Sequence, residues 1–406
     1  MVDSSFGALL RECRTTAGIS MGELAKRVNY SKSYLSKLEN DVKPPNPTLA
    51  RLCDAVLDAG GALIDEARSA RERIDAGNGP VGVARGPILA DADAALGMAL
   101  AGHRPVGAMP SELAMAGLRM SFEHLRVVGT QTSPLVVREP LIAQVRAVRA
   151  LAVANREPAR SRLLSLAARI AEYVGWLSQE SGAESAALWW TRHAAELAGA
   201  SGDDDIVSYA LVREAGLALY RQDSITTVEL ARRAQRVRRA GRRTIGLAAR
   251  REAQGHALAG DRGACERAFD RAAELFESAT AESLAYPVLG STAPGPLELA
   301  RGWAFADLGH AAAAAAVLDR ALDRVPVTHR RTRARFGTRR SLAYALAGEL
   351  EQSCRSLTET IDDVTHVDSA TVHMDLRELA RSLGRWRGHH AVREIYPELN
   401  RLLRRA

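Results

Sequence analysis

Cysteine, aromatic residues and lysine are all scarce in this 406-residue chain. Four cysteines, Cys13, Cys53, Cys265 and Cys354, stand far apart with no Cys-x-x-Cys. Neither a thiolate zinc site nor a disulfide framework is expected from them. No stretch of about 18 uncharged apolar residues occurs, and the N-terminus lacks the basic-then-apolar pattern of a secretory signal. A soluble, cytoplasmic protein is expected. Enzyme motifs are missing too: no Walker or Rossmann glycine loop, no Gly-x-Ser-x-Gly and no His-Glu-x-x-His. His366 and His373 are seven apart and could share a helix face, but no acidic or thiol partner makes a metal site there compelling. His389 and His390 are adjacent, and adjacent helix residues do not face one way. The expectation is therefore no catalytic residue, no metal and no cofactor.

What is present is 47% hydrophobic residues and 25% charged ones, enough for packed cores rather than wholesale disorder. At roughly 100–200 residues per domain the length suggests more than one domain. The net charge is +7. Residues 1–76 carry eleven basic and eleven acidic side chains, so the excess lies beyond them, where arginine is abundant and lysine absent. Against that background the four lysines, Lys26, Lys32, Lys37 and Lys43, are informative. They fall within eighteen residues, with no acid between Lys26 and Leu38. Such a locally positive segment suits a phosphate backbone, or else a solvated helix face.

The first segment reads as five short helices. Phe6, Leu9, Leu10, Cys13 and Ala17 recur at helical spacing before Gly18. Ser20-Met21-Gly22-Glu23 is a capping box opening a helix with Leu24, Ala25 and Val28 inward. Asn29-Tyr30 makes a turn, and Ser31 caps a third helix with Leu35 and Leu38 inward. Asn46-Pro47 opens a fourth that buries Leu49, Leu52, Cys53, Val56 and Leu57. Two helices joined by a short turn form a helix-turn-helix.

Over residues 6–66, the run "ISMGELAKRVNYSKSYLSKLENDVKPPNPTLARLCDAV" resembles the DNA-binding domain of the XRE family of bacterial and phage repressors. The chain departs from that family at Met21, where a glutamine is common. The resemblance implies that Lys32, Ser33, Tyr34 and Lys37 face base edges in the major groove. Asn40 and Lys43 would hold phosphates and fix register. One recognition helix covers few base pairs, so a homodimer on an inverted-repeat operator in double-stranded DNA is expected.

Residues 77–90, rich in Gly and Pro at their start, read as a flexible linker between domain 1–76 and domain 91–406. Helices are expected over Ser111–Val128 and Arg138–Asn155. Beyond about residue 160 a repeat appears, its loop marker at Gly182, Gln222, Gly260, Gly309, Gly348 and Gly388, separated by 40, 38, 49, 39 and 40 residues. The unit "GWAFADLGHAAAAAAVLDRALDRVP" places Gly302, Phe305, Gly309, Ala314, Ala321 and Pro326 as a tetratricopeptide repeat does, although that family's period is about 34. The fold class expected is all-α: a lambda-repressor-like five-helix domain followed by a TPR-like α-solenoid. The alternative for the second part is a generic helical bundle.

In that register, Trp176, Gln179, Tyr209, Tyr220, Arg250, Gln254 and Trp303 fall on the concave side. Aromatics with Arg and Gln among them suit a partly apolar ligand with an acidic or amide group. The competing reading has Trp176 and Trp303 packing between repeats. The clusters Arg232–Arg243 and Arg330–Arg340 read as solvated helix faces, with an acidic ligand or flanking DNA as the alternative. The whole chain is similar to the RRNPP peptide-sensing regulators and, in length and composition, to TPR-bearing XRE regulators of actinobacteria. The peptide sensors hold their peptide with groove asparagines, and only Asn155 and Asn400 follow residue 90 here. The expected function is a transcriptional regulator whose second domain dimerises and senses a peptide, a small molecule or a partner protein. The alternatives are an interaction scaffold, or a phage- or antitoxin-type repressor without a ligand.

Overall fold

The computed structural model describes residues 5–77, 112–279 and 297–404. Every regular element among them is a helix, and none is a strand. The linker at 77–90 lies, apart from its first residue, outside the described residues.

The N-terminal domain comprises α1 (Phe6–Thr16), α2 (Met21–Arg27), α3 (Lys32–Glu39), α4 (Pro47–Leu57) and α5 (Ala62–Gly77). Side-chain caps set the starts. The Ser20 hydroxyl accepts from the Glu23 N–H, Ser31 from the Tyr34 N–H, and Asn46 from the Thr48 N–H. The capping box at Ser20 is only half made, because the Glu23 carboxylate turns to Arg27, 3.0 Å away, instead of the Ser20 backbone. Leu10, Leu24, Leu35, Leu38, Leu49 and Leu63 are fully buried together. Each such side chain contributes roughly 1.5–3 kcal/mol. Glu39 ends α3 buried, gripped by Arg14 of α1 at 2.6 Å, which ties α3 to the scaffold. Met21 packs onto this core.

After the undescribed segment come α6 (Glu112–Gln131) and α7 (Pro134–Ala154). α7 starts four residues earlier than its pattern suggests, because Ser133 caps it and Pro134 occupies its first turn; it then runs through Pro140. Six antiparallel pairs follow: α8 (Ala159–Glu180) with α9 (Glu184–Ser201), α10 (Asp204–Tyr220) with α11 (Ser224–Gln235), and α12 (Arg242–Leu258) with α13 (Arg262–Glu277). The rest are α14 (Leu297–Asp307) with α15 (Ala311–Leu322), α16 (Arg330–Ala347) with α17 (Leu350–Thr365), and α18 (Ala370–Leu383) with α19 (His390–Arg404). The first five pairs turn at Gly182, Gln222, Gly260, Gly309 and Gly348, all left-handed with φ between 64° and 86°. The sixth differs: a 3₁₀ turn at Gly384–Trp386 replaces the glycine turn, and Gly388 has no positive φ. The long 49-residue step contains residues 280–296, outside the described residues. Within pairs the helices approach closely; a Cβ on Gly302 would stand 2.6 Å from Leu318 Cγ.

First helices pack on first helices from α8 through α16 to α18, and α18 packs back against α8. Their inner faces therefore surround one groove. The N-terminal domain sits on the rim formed by the pair turns. Asn29 Nδ2 donates to the Leu346 carbonyl, Thr48 Oγ1 to Glu378, and Arg51 to Gln222. Arg385 donates to the Asn29 carbonyl and lies 3.8 Å from the centre of the Tyr30 ring. Ala311 and Leu346 join the N-terminal core.

Candidate functional site

α3 presents Lys32, Ser33 and Lys37 to solvent, on the face opposite buried Leu35 and Leu38. Lys26 and Lys43 are exposed nearby, so all four lysines sit on one small domain. Tyr34 is half-buried: its ring stands 5.6 Å from that of Tyr30, and the Lys43 ammonium lies 5.1 Å from its centre. This cation–π contact holds Lys43 beside α3. Asn40 closes α3; its amide donates to the Ser36 carbonyl at 2.7 Å and accepts from Arg11 at 2.9 Å. That side chain is already engaged within the domain, so a phosphate would compete with the Ser36 carbonyl for its amide N–H.

The second constellation is the groove inside the ring of first helices. Six of the seven residues read as concave line it: Trp176, Gln179, Tyr220, Arg250, Gln254 and Trp303. Tyr209 does not. It is fully buried, a turn before Arg213 on α10, and closed over by Leu247 and Ala248 of α12. Trp176 and Trp303 are only 5% exposed, so they are packing residues and groove wall at once. Arg213, Arg251, Arg331 and Arg335 also line the groove and were not singled out as groove residues by sequence. A signal existed: Arg331 and Arg335 are four apart and share a helix face.

Ion pairs saturate part of this set. Arg213 lies 3.2 Å from fully buried Glu172, whose carboxyl is pushed up to about 7 by burial, against the pull of Arg213. Arg331 meets Glu180 at 2.6 Å, and Arg339 grips Asp375 through two bonds of 2.8 and 2.9 Å. Arg330 and Arg333 pair with Asp362 and Asp363, and Arg340 with Asp319 and Glu359. The Arg330–Arg340 stretch is thus a network of ion pairs, not a simply solvated face. In the other cluster, Arg232 pairs with Glu252, while Arg233, Arg236, Arg238 and Arg239 are exposed.

His389, His390 and Glu351 bring ligand-capable atoms within 4.8 Å of one another. The adjacent histidines do face one way, their rings 4.7 Å apart, because His389 precedes α19 while His390 begins it. Among the described residues no helix is long and apolar enough to cross a membrane.

Comparison with known families matches residues 5–67 to a helix-turn-helix domain. No curated protein matches the chain. The matched span covers α1 to the first part of α5, and so includes every residue of the lysine-bearing face: the chain carries an N-terminal helix-turn-helix domain.

Proposed function

We propose that the protein is a cytoplasmic, non-enzymatic transcriptional regulator of XRE type. In this reading α3 enters the major groove of an inverted-repeat operator, with Lys32, Ser33 and Lys37 at base edges and Lys43 at phosphates. The observation that carries it is the bare recognition face. The paired helices contact the N-terminal domain at Asn29, Tyr30, Thr48 and Arg51, while Lys32, Ser33 and Lys37 stay exposed. The helix pairs are read as TPR-like, forming a sensor and the main contact of a homodimer. Val127, Leu135, Val136 and Val153, exposed on α6 and α7, support α6–α7 as the face that receives a second copy.

A gel shift with the region upstream of the protein's own gene, with and without competitor DNA, tests the reading. Retention under competition is expected. Equal loss to random DNA favours the scaffold alternative.

A further inference from the structure

Every one of the six first helices contributes to the central groove, and its charges do not balance. Glu172, Glu180 and Asp375 are matched by Arg213, Arg331 and Arg339. Among the described residues, that leaves Arg250, Arg251 and Arg335 with no carboxylate at ion-pair distance. Arg251 is 9% exposed, lies against Gly216, and donates to Gln254 at 2.8 Å, its one hydrogen-bond partner among the described residues. The Nε atoms of Arg250, Arg251 and Arg335, Nη2 of Arg335 and the Tyr220 hydroxyl are buried without a hydrogen-bond partner among the described residues. Burial and the neighbouring guanidinia lower Arg250 to about 10 and Arg251 to about 9.

A protein rarely leaves buried guanidinia unpaired unless something else satisfies them. Rings accompany the charges. The Arg335 guanidinium lies 4.9 Å from the Trp303 ring centre and 5.2 Å from that of Tyr220, and Arg331 lies 5.1 Å from Trp176. Stacking of this kind fixes the guanidinium planes and leaves their N–H edges for an oxyanion. The groove has free space of about 110 Å³, or about 900 Å³ counting its open mouth. That suits an anionic head held inside and a flat ring towards the mouth.

We propose that this groove binds a small molecule that combines at least two oxyanion charges with an aromatic ring, held by Arg250, Arg251 and Arg335. The proposal rests on the sensor reading above and narrows its ligand. Such a ligand is linked to the DNA-binding domain through short steps. Trp303 and buried Asp307 are one turn apart on α14, and Asp307 lies in the field of both Arg51 of α4 and Arg339. Arg339 holds Asp375, one turn before Glu378, which receives the Thr48 hydroxyl. A ligand that recruits Arg335 changes the surroundings of both rim contacts.

The test is calorimetry on the full chain without DNA, using ADP, isophthalate, inorganic pyrophosphate and adenosine. The expected result is that ADP or isophthalate binds, identifying a phosphate or a carboxylate source. Pyrophosphate and adenosine bind at least tenfold more weakly than that probe. Arg335→Gln lowers the affinity at least tenfold, and Arg233→Gln, on an exposed face, leaves it unchanged. Binding of none of the four at millimolar concentration overturns the proposal, as does binding that Arg335→Gln does not weaken. A second measurement needs no ligand: Arg251→Met removes an unpaired buried charge and raises the melting temperature of the free protein. A lowered melting temperature contradicts the unpaired state. Operator binding is measured separately, so the regulator reading and the anion site fail independently.

Discussion

Gly309 and Gly202 offer a matched pair of perturbations on the docking of the two domains. Both have left-handed backbones, with φ of 81° and 73°. Alanine at either position costs roughly 1–2 kcal/mol from the left-handed conformation alone. At Gly202 the added methyl meets open space, whereas at Gly309 it would stand 2.4 Å from the Arg51 carbonyl oxygen and 2.8 Å from Ala55 Cβ. Van der Waals contact requires α4 to retreat by roughly an ångström. The rim hydrogen bonds of Asn29, Thr48 and Arg51 stretch together, at about 0.5–1.5 kcal/mol each. Gly309→Ala is therefore expected to lose about 2–4 kcal/mol more than Gly202→Ala. Hydrogen exchange is the assay, because it reports α4 and α5 separately from the helix pairs. Faster exchange in α4 and α5 for Gly309→Ala alone is predicted. Equal exchange in the two variants would refute the docked arrangement.

Three further outcomes follow from named contacts. Leu38→Ala empties a fully buried position in α3 and is expected to cost about 2–5 kcal/mol by chemical denaturation; a loss below 1 kcal/mol would contradict the packing. Glu252 is buried, which alone would raise its pKa, but His256, Gln235, Arg232 and Arg271 together hold it well below the usual carboxylate range. A depressed folded pKa contributes stability that is present above the unfolded value and lost as pH falls. Glu252→Gln should therefore cost about 1–2 kcal/mol at pH 7, with the gap to the parent closing as the solution is acidified below about pH 4; a gap independent of pH would contradict this. On the proposed homodimer reading, the full chain is expected to sediment as a dimer, replacing Val127 and Val136, 56% and 58% exposed, by glutamate to make it a monomer, and a fragment ending at residue 76 to be monomeric throughout. A fragment that dimerises as well as the full chain would place the interface in the wrong domain.

Local chemistry made the first domain readable. Ser20, Ser31 and Asn46 are caps whose effect is confined to the next few residues, and Leu24, Leu35, Leu38 and Leu49 repeat at helical spacing, so sequence alone located α2, α3 and α4. Five of the six pair turns were readable for the same reason, even at Gln222, where a non-glycine residue adopts the left-handed conformation; the sixth, expected at Gly388, is a 3₁₀ turn at Gly384–Trp386. Long-range geometry was not readable. Whether Tyr209 faces a groove depends on how far Leu247 and Ala248 of another helix extend over it. The pairing of Arg339 with Asp375 joins residues 36 apart. Charge balance in the groove emerges only after such pairs are removed, so Arg335 looked like any other arginine in a run of them. The contact of Gly309 with Arg51 spans more than 250 residues, and no periodicity encodes it.

The claim that α3 reads sequence is tested most directly by the ratio of affinities for operator and random DNA. It should be measured by fluorescence anisotropy at fixed salt for the parent, Lys37→Ala and Lys43→Ala. Both lysines are exposed, so neither change is expected to disturb folding. Lys37→Ala is predicted to lose about 1–3 kcal/mol on operator and far less on random DNA, so the ratio collapses. Lys43→Ala is predicted to weaken both alike and to lower the salt dependence by about one ion. An unchanged ratio for Lys37→Ala would contradict the account.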